Sequence, residues 1–236
     1  MKKIVLFAIS VLSGFAAQAQ DEIETTVSGD VVSSYIWRGQ DLGDVSLQPT
    51  LGVSYKGLSL TAWGSVGLTD PLDTKEFDLT LSYTTGGLNI GITDYWFDAG
   101  LDPDARYFKY DAHGTNHVFE ANIGYDFGVA SVQWFTNFAG NDGINKDGKR
   151  AYSSYAEVVV PFKLSAIDWT ATVGAVPYAT SFYNDWTSGF AVTNVSLKAT
   201  KDIKVTDSFS IPVFGPVVGN PCSQKAYLVF GFTLHP

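Results

Sequence analysis

The chain has 236 residues, with 15 Lys and Arg against 24 Asp and Glu, a net charge of −9, and 45% hydrophobic residues. This length suits one domain, and the acidic balance argues against nucleic acid as a partner, since phosphates call for a basic face. Cys222 is the only cysteine, so no intrachain disulfide forms, and no zinc, nucleotide or phosphate-cradling signature is present.

From the N-terminus, Lys2 and Lys3 precede an apolar stretch, Ile4 to Phe15, and Ala17-Gln18-Ala19 supplies a small-x-small cleavage signal. Residues 1–19 read as a secretory signal peptide, because the apolar stretch falls short of the roughly twenty residues a membrane helix needs. Export predicts a mature domain over 20–236; Lys2 and Lys3 leave with the signal, so 13 basic residues face 24 acidic ones and the net charge is −11. No later apolar run is long enough for a membrane helix. The mature chain is then a soluble domain or a closed barrel, the one non-helical way to span a bilayer.

From Glu24 onward apolar and polar residues alternate with a strand's period of two. Leu47, Pro49, Leu51, Val53 and Tyr55 oppose Ser46, Gln48, Thr50 and Ser54; Phe77, Leu79, Leu81 and Tyr83 oppose Glu76, Asp78, Thr80 and Ser82. The alternation predicts strands near 24–38, 46–56, 58–67, 74–84, 88–97, 115–127, 129–139, 151–162, 166–177, 189–199, 205–214 and 224–234. That is about twelve, an even number as in single-chain bacterial barrels. Lys56-Gly57, Thr85 to Gly87 and Phe127-Gly128 read as tight turns, whereas 98–114, 140–150, 178–188 and 215–223 are longer. Short turns at one end and long loops at the other are a barrel's rhythm.

Three features favour a transmembrane antiparallel up-and-down β-barrel over a soluble sandwich. Aromatics gather at strand ends on the apolar face (Tyr35, Trp37, Tyr55, Phe77, Tyr83, Tyr125, Phe127, Tyr152 and Phe162), as interface girdles require. The polar face is Ser, Thr, Asn, Gln and Gly rather than the mixed charges of a soluble exterior. Finally, Ala226, Leu228, Phe230, Phe232 and Leu234 give an apolar face to a last strand close to the C-terminus.

Ser34-Tyr35-Ile36-Trp37-Arg38-Gly39, followed by Gln48-Pro49 and a second alternating strand, resembles the start of the small outer-membrane β-barrel porins of the TorF type. The resemblance is specific over 30–95 and architectural beyond. It implies an outer-membrane location and a pore, without indicating a substrate. Outer-membrane barrels commonly end on an aromatic residue, whereas this chain continues past Phe232 through Thr233-Leu234-His235-Pro236. Either the assembly machinery reads an internal variant of that signal, or the last strand sits in another register.

The expected lumen face carries Asp30, Glu76, Asp78, Glu120, Asp126, Glu157 and Asp168 against Arg38, Lys198 and Lys225. Carboxylate-rich linings favour cations, which makes Arg38, Asp30, Asp78, Glu120, Glu157 and Asp168 candidates for selectivity. Glu76, Asp126 and Lys225, near strand ends, read equally as solvated rim charges. Arg38 either touches a passing solute or forms an ion pair with a lumen carboxylate, the pair being favoured because a confined guanidinium needs a partner. Trp96, Phe97, Tyr107, Phe108 and Tyr110 either constrict the mouth or belong to the upper girdle, and Tyr183 and Trp186 admit the same two readings.

Asp111, His113 and His117 lack ligand spacing, and Asp98, Asp102 and Asp104 lack the glycine and terminal carboxylate of a calcium loop. None of His113, His117 and His235 stands in a nucleophile motif. No catalytic residue, metal site or cofactor is assigned. The expectation is a barrel passing small hydrophilic solutes passively, mildly cation-preferring, with outer-membrane lipid and the barrel-assembly machinery as its other partners. The alternative is a structural or adhesive barrel, its lumen filled, acting through its extracellular loops. The oligomeric state is not legible.

Overall fold

The structure, a computed structural model, describes residues 23–98, 102, 104–112, 114–184, 189–207 and 209–235; the expected signal peptide, His113 and Trp186 lie outside them. In chain order the strands are β1 (Glu24–Val32), β2 (Tyr35–Trp37), β3 (Gln40–Gly43), β4 (Ser46–Tyr55), β5 (Leu58–Gly67), β6 (Lys75–Thr85), β7 (Leu88–Asp98) and β8 (His117–Asp126). They continue with β9 (Ser131–Gly140), β10 (Ser154–Leu164), β11 (Ile167–Val176), β12 (Ala191–Lys204), β13 (Ser210–Asn220), β14 (Lys225–Leu228) and β15 (Gly231–Leu234).

Each wall strand pairs antiparallel with its sequence neighbour, and β15 returns to pair with β1, so the sheet closes on itself. Counting the broken β14–β15 segment as one, the wall has twelve strands. Closure matters because an unpaired backbone group in hydrocarbon costs several kcal/mol, and a closed sheet has no edge. Strands β4 to β11 run 10 or 11 residues, the length a tilted membrane strand needs.

The two faces are inverted relative to a soluble protein. Inside, Ser46, Gln48, Thr50, Asp78, Glu120, Gln133, Asn137 and Thr193 are buried; outside, Leu51, Leu81, Ile123 and Val173 are about half exposed or more. Leaving such side chains in water would forgo about 1.5–3 kcal/mol each, which an acyl-chain environment avoids. Tyr55, Tyr83, Tyr125, Phe127 and Phe162 ring the short-turn end on the outer face.

Three expectations are corrected. The strand expected over 24–38 leaves the wall after Val32: β2 and β3 form a separate hairpin that folds into the lumen, taking Tyr35 and Trp37 out of the girdle and burying Tyr35 to 6% exposure. The strand expected over 205–214 runs from Ser210 to Asn220, and the long loop expected over 215–223 shrinks to a four-residue turn at 221–224. The last strand is broken at Val229-Phe230, although its register against β13 is continuous, Val217 facing Leu228 and Phe214 facing Gly231. The break lies opposite Pro216, which accepts from Val229 N but has no N–H to return.

Candidate functional site

The β2–β3 hairpin builds the site. Its turn places Arg38 and Gly39 at φ 50° and 81°, the doubly positive geometry of a type I′ turn. Gly39 is required twice over, by that φ and because a Cβ there would lie 1.9 Å from the Thr193 carbonyl oxygen. Asn220 Nδ2 donates to the Gly39 carbonyl at 3.0 Å, so the turn is docked on β12 and β13.

This turn carries the Arg38 guanidinium into the lumen. Nη1 and Nη2 donate to Glu120 Oε2 and Oε1 at 2.6 and 2.9 Å, a two-point fork, and Nη1 also donates to the Tyr183 hydroxyl. Tyr95 Oη donates to Glu120 Oε1 at 2.8 Å. The guanidinium carbon lies 4.1 Å from the Phe135 ring centre, 4.4 Å from Trp37 and 4.7 Å from Tyr155. Tyr155 in turn donates to Glu157 Oε2 at 3.0 Å and accepts from Asn194 Nδ2 at 3.2 Å. Phe182 and Tyr183, from the loop between β11 and β12, pack with Trp37 over the same cluster. Arg38 is left 9% exposed and Tyr155 fully buried. Charge, rings and loop together plug the long-loop end of the lumen.

Beneath the plug is a cavity of about 500 Å³. Its lining runs from Tyr35, Trp37 and Arg38 down past Gln48, Thr80, Asn122 and Thr172 to Gly87 and Asp126 at the short-turn end, so the polar interior is continuous to that rim. Asp30, Asp78, Asp126 and Glu157 line it against Arg38 and Lys198. Asp78 Oδ1 is buried with no donor among the described residues. Lys198 lies within electrostatic reach of Asp30 and 4.2 Å from the Phe214 ring centre.

The other candidates fall elsewhere. Glu120 is in the plug rather than on the cavity lining. Asp168 sits at the short-turn rim, 66% exposed and 3.1 Å from Lys163 Nζ. Glu76, with a rim reading open, is buried and accepts from Tyr35 Oη at 2.7 Å. Trp96, Tyr107, Phe108 and Tyr110 lie on the outer wall and not across the mouth: Tyr107 packs on the outward-facing Phe77 and Trp96, and Phe108 is 88% exposed. His117, on that same outer face, has Nδ1 2.6 Å from Asp94 Oδ1 and Nε2 2.6 Å from the Tyr107 carbonyl oxygen, with Tyr110 stacked over it.

Sequence reasoning passed over Tyr95, Phe135 and Tyr155. The available signal was their parity: each is an aromatic at a lumen-facing position among small polar residues.

Fold and site define a transmembrane-type β-barrel whose lumen is plugged at one end by an inward-folded hairpin. A comparison with protein-family models returns no match, and neither does a comparison with curated proteins. Among solved structures, an outer membrane channel from Pseudomonas putida F1 aligns with 88% of this chain and 93% of its own, at 12% identity and a TM-score of 0.41.

Proposed function

We propose that the protein is an outer-membrane channel that passes small hydrophilic solutes passively, with a mild preference for cations, and that the β2–β3 plug closes its outer mouth in this structure. The observation that carries the reading is the cavity into which charged and polar side chains project, running from the plug to the short-turn rim inside a wall whose apolar side faces outward. A wall of this kind needs lipid around it, and an unfilled interior that collects such side chains serves no purpose in packing. Kinship with the small porins of the TorF type belongs to this reading and rests on the segment Ser34 to Gly39. So do its remaining partners, the surrounding lipid and the assembly machinery.

Cation preference follows from the lining. Four carboxylates face Arg38 and Lys198, and Glu120 already neutralises Arg38. Fixed carboxylates in a narrow pore draw counter-ions. No catalytic step is part of this reading, since both ring nitrogens of His117 are engaged and face away from the lumen.

The test is conductance of the refolded mature barrel in planar bilayers under a salt gradient. Discrete steps with a reversal potential leaning toward cations are expected, the lean shrinking in Asp78→Asn. A silent barrel, in both the wild type and a variant lacking the plug, would sink the channel.

One observation favours a second reading. The plug buries Arg38 and Tyr155 so completely that a permanently filled barrel, acting through its loops, has the same geometry. Silence of the plug-deleted variant would select it.

A further inference from the structure

The groups that hold the Arg38 guanidinium come from five separate parts of the molecule besides the hairpin that carries it. Tyr95 is on β7, Glu120 on β8, Phe135 on β9, Tyr155 on β10, and Tyr183 on the loop after β11. A simple ion pair would need only the carboxylate. Here the wall also supplies flat aromatic faces at 4.1 and 4.7 Å from the guanidinium carbon and a two-point carboxylate fork in reach of both Nη atoms. Stacking faces and a fork match the planar, five-donor guanidinium and suit a compact ammonium poorly. The ligand arrives on the tip of a two-residue turn, and that tip borders the polar cavity.

We infer that the wall side of this cage is a guanidinium-binding site of the pore, filled in the closed state by Arg38 as an internal ligand. A small guanidinium solute that takes Arg38's place there frees the hairpin and opens the mouth. The cavity of about 500 Å³ beneath the cage has room for the rest of such a solute. The binding site stands on the cage geometry alone; the opening step rests on the channel reading.

Competition fixes the expected affinities. A tethered side chain acts as a competitor at an effective concentration in the millimolar range. Wild-type protein should therefore bind methylguanidinium at least about tenfold more weakly than Arg38→Ala, in which the cage is vacated.

Saturation-transfer NMR on the refolded barrel in micelles reads this directly. Arg38→Met, which keeps an apolar stem in the turn, serves as the second variant, and strand circular dichroism checks that both are folded. Saturable binding of methylguanidinium to both variants is expected. Methylurea, equal in shape but uncharged, should not bind, and adding Glu120→Gln should abolish the effect. Binding by the variants no tighter than by wild type, or equal binding of methylurea, overturns the site.

The opening step has its own readout in bilayers. If Arg38→Ala conducts but methylguanidinium leaves wild-type conductance unchanged, the opening step is wrong while the channel stands. If the variants bind methylguanidinium and none conducts, the channel reading falls and the site remains.

Discussion

At the residue scale the Arg38–Glu120 pair shows what a confined charge demands. With side chains 7% and 2% exposed, neither ion has water to fall back on. Removing one partner of such a pair leaves the other unpaired, which costs about 3–5 kcal/mol, whereas replacing both with apolar groups of similar volume is often neutral. Glu120→Gln is expected to lower the urea midpoint of unfolding markedly, and Arg38→Met combined with Glu120→Leu to recover most of the loss. An equal loss in the double variant would show that the rings and not the charge hold the plug.

The need of Arg38 for a lumen carboxylate is legible in the sequence, since a confined guanidinium must be paired. Which carboxylate is not legible. Glu120 and Asp168 share the lumen parity of their strands, yet one is buried in the plug and the other is 66% exposed at the rim. A period of two reports the face of the sheet and carries no information on depth along it.

At the element scale, a period-two reading overran the hairpin. The alternation itself fails there, with Val31-Val32 both apolar, Ser33-Ser34 both polar and Tyr35-Ile36-Trp37 apolar throughout, and this is where the chain leaves the wall. A second cue was Arg38-Gly39, a two-residue turn followed by Gly43-Asp44. Gly39→Ala tests the docking: at φ 81° and with a Cβ 1.9 Å from the Thr193 oxygen, the turn must shift. On the channel reading, the variant is expected to show a raised basal conductance with the wall strands intact by circular dichroism.

The seam between β13 and β14–β15 is the weak element of the wall. β13 makes only two residue pairs with β15. Pro212 and Pro216 lack N–H groups on a strand whose neighbours need them. Amide hydrogen exchange should therefore be faster in β14 and β15 than in β6 or β7, which pair over eleven residues. Uniform protection around the wall would contradict this.

For the whole molecule, the inverted faces were the most legible feature. The residues that alternation puts on the apolar side of β4 and β6 are the ones exposed outward, and their polar alternates face in. Closure follows from that inversion, since an open sheet with an apolar face would leave its edges unpaired in lipid. Which loops turn inward is a different kind of information. The loop holding Tyr107 lies against the outer wall, while the one holding Tyr183 enters the mouth. Both are aromatic-rich, and the difference lies in tertiary partners that local composition does not encode.

The plug is anchored at one mouth only, with its cation on the hairpin and the matching anion on the wall. In electrical terms the molecule has no mirror plane across the membrane. A field of one polarity presses the guanidinium onto its carboxylate, and the reverse polarity pulls the two apart. Carrying one elementary charge across the full potential is worth about 2.3 kcal/mol per 100 mV, and the hairpin tip would travel through a fraction of it. On the channel reading, a pore built this way should rectify. Current through a bilayer into which the barrels insert in one orientation should rise more steeply at one sign of voltage, and that asymmetry should vanish in Arg38→Met.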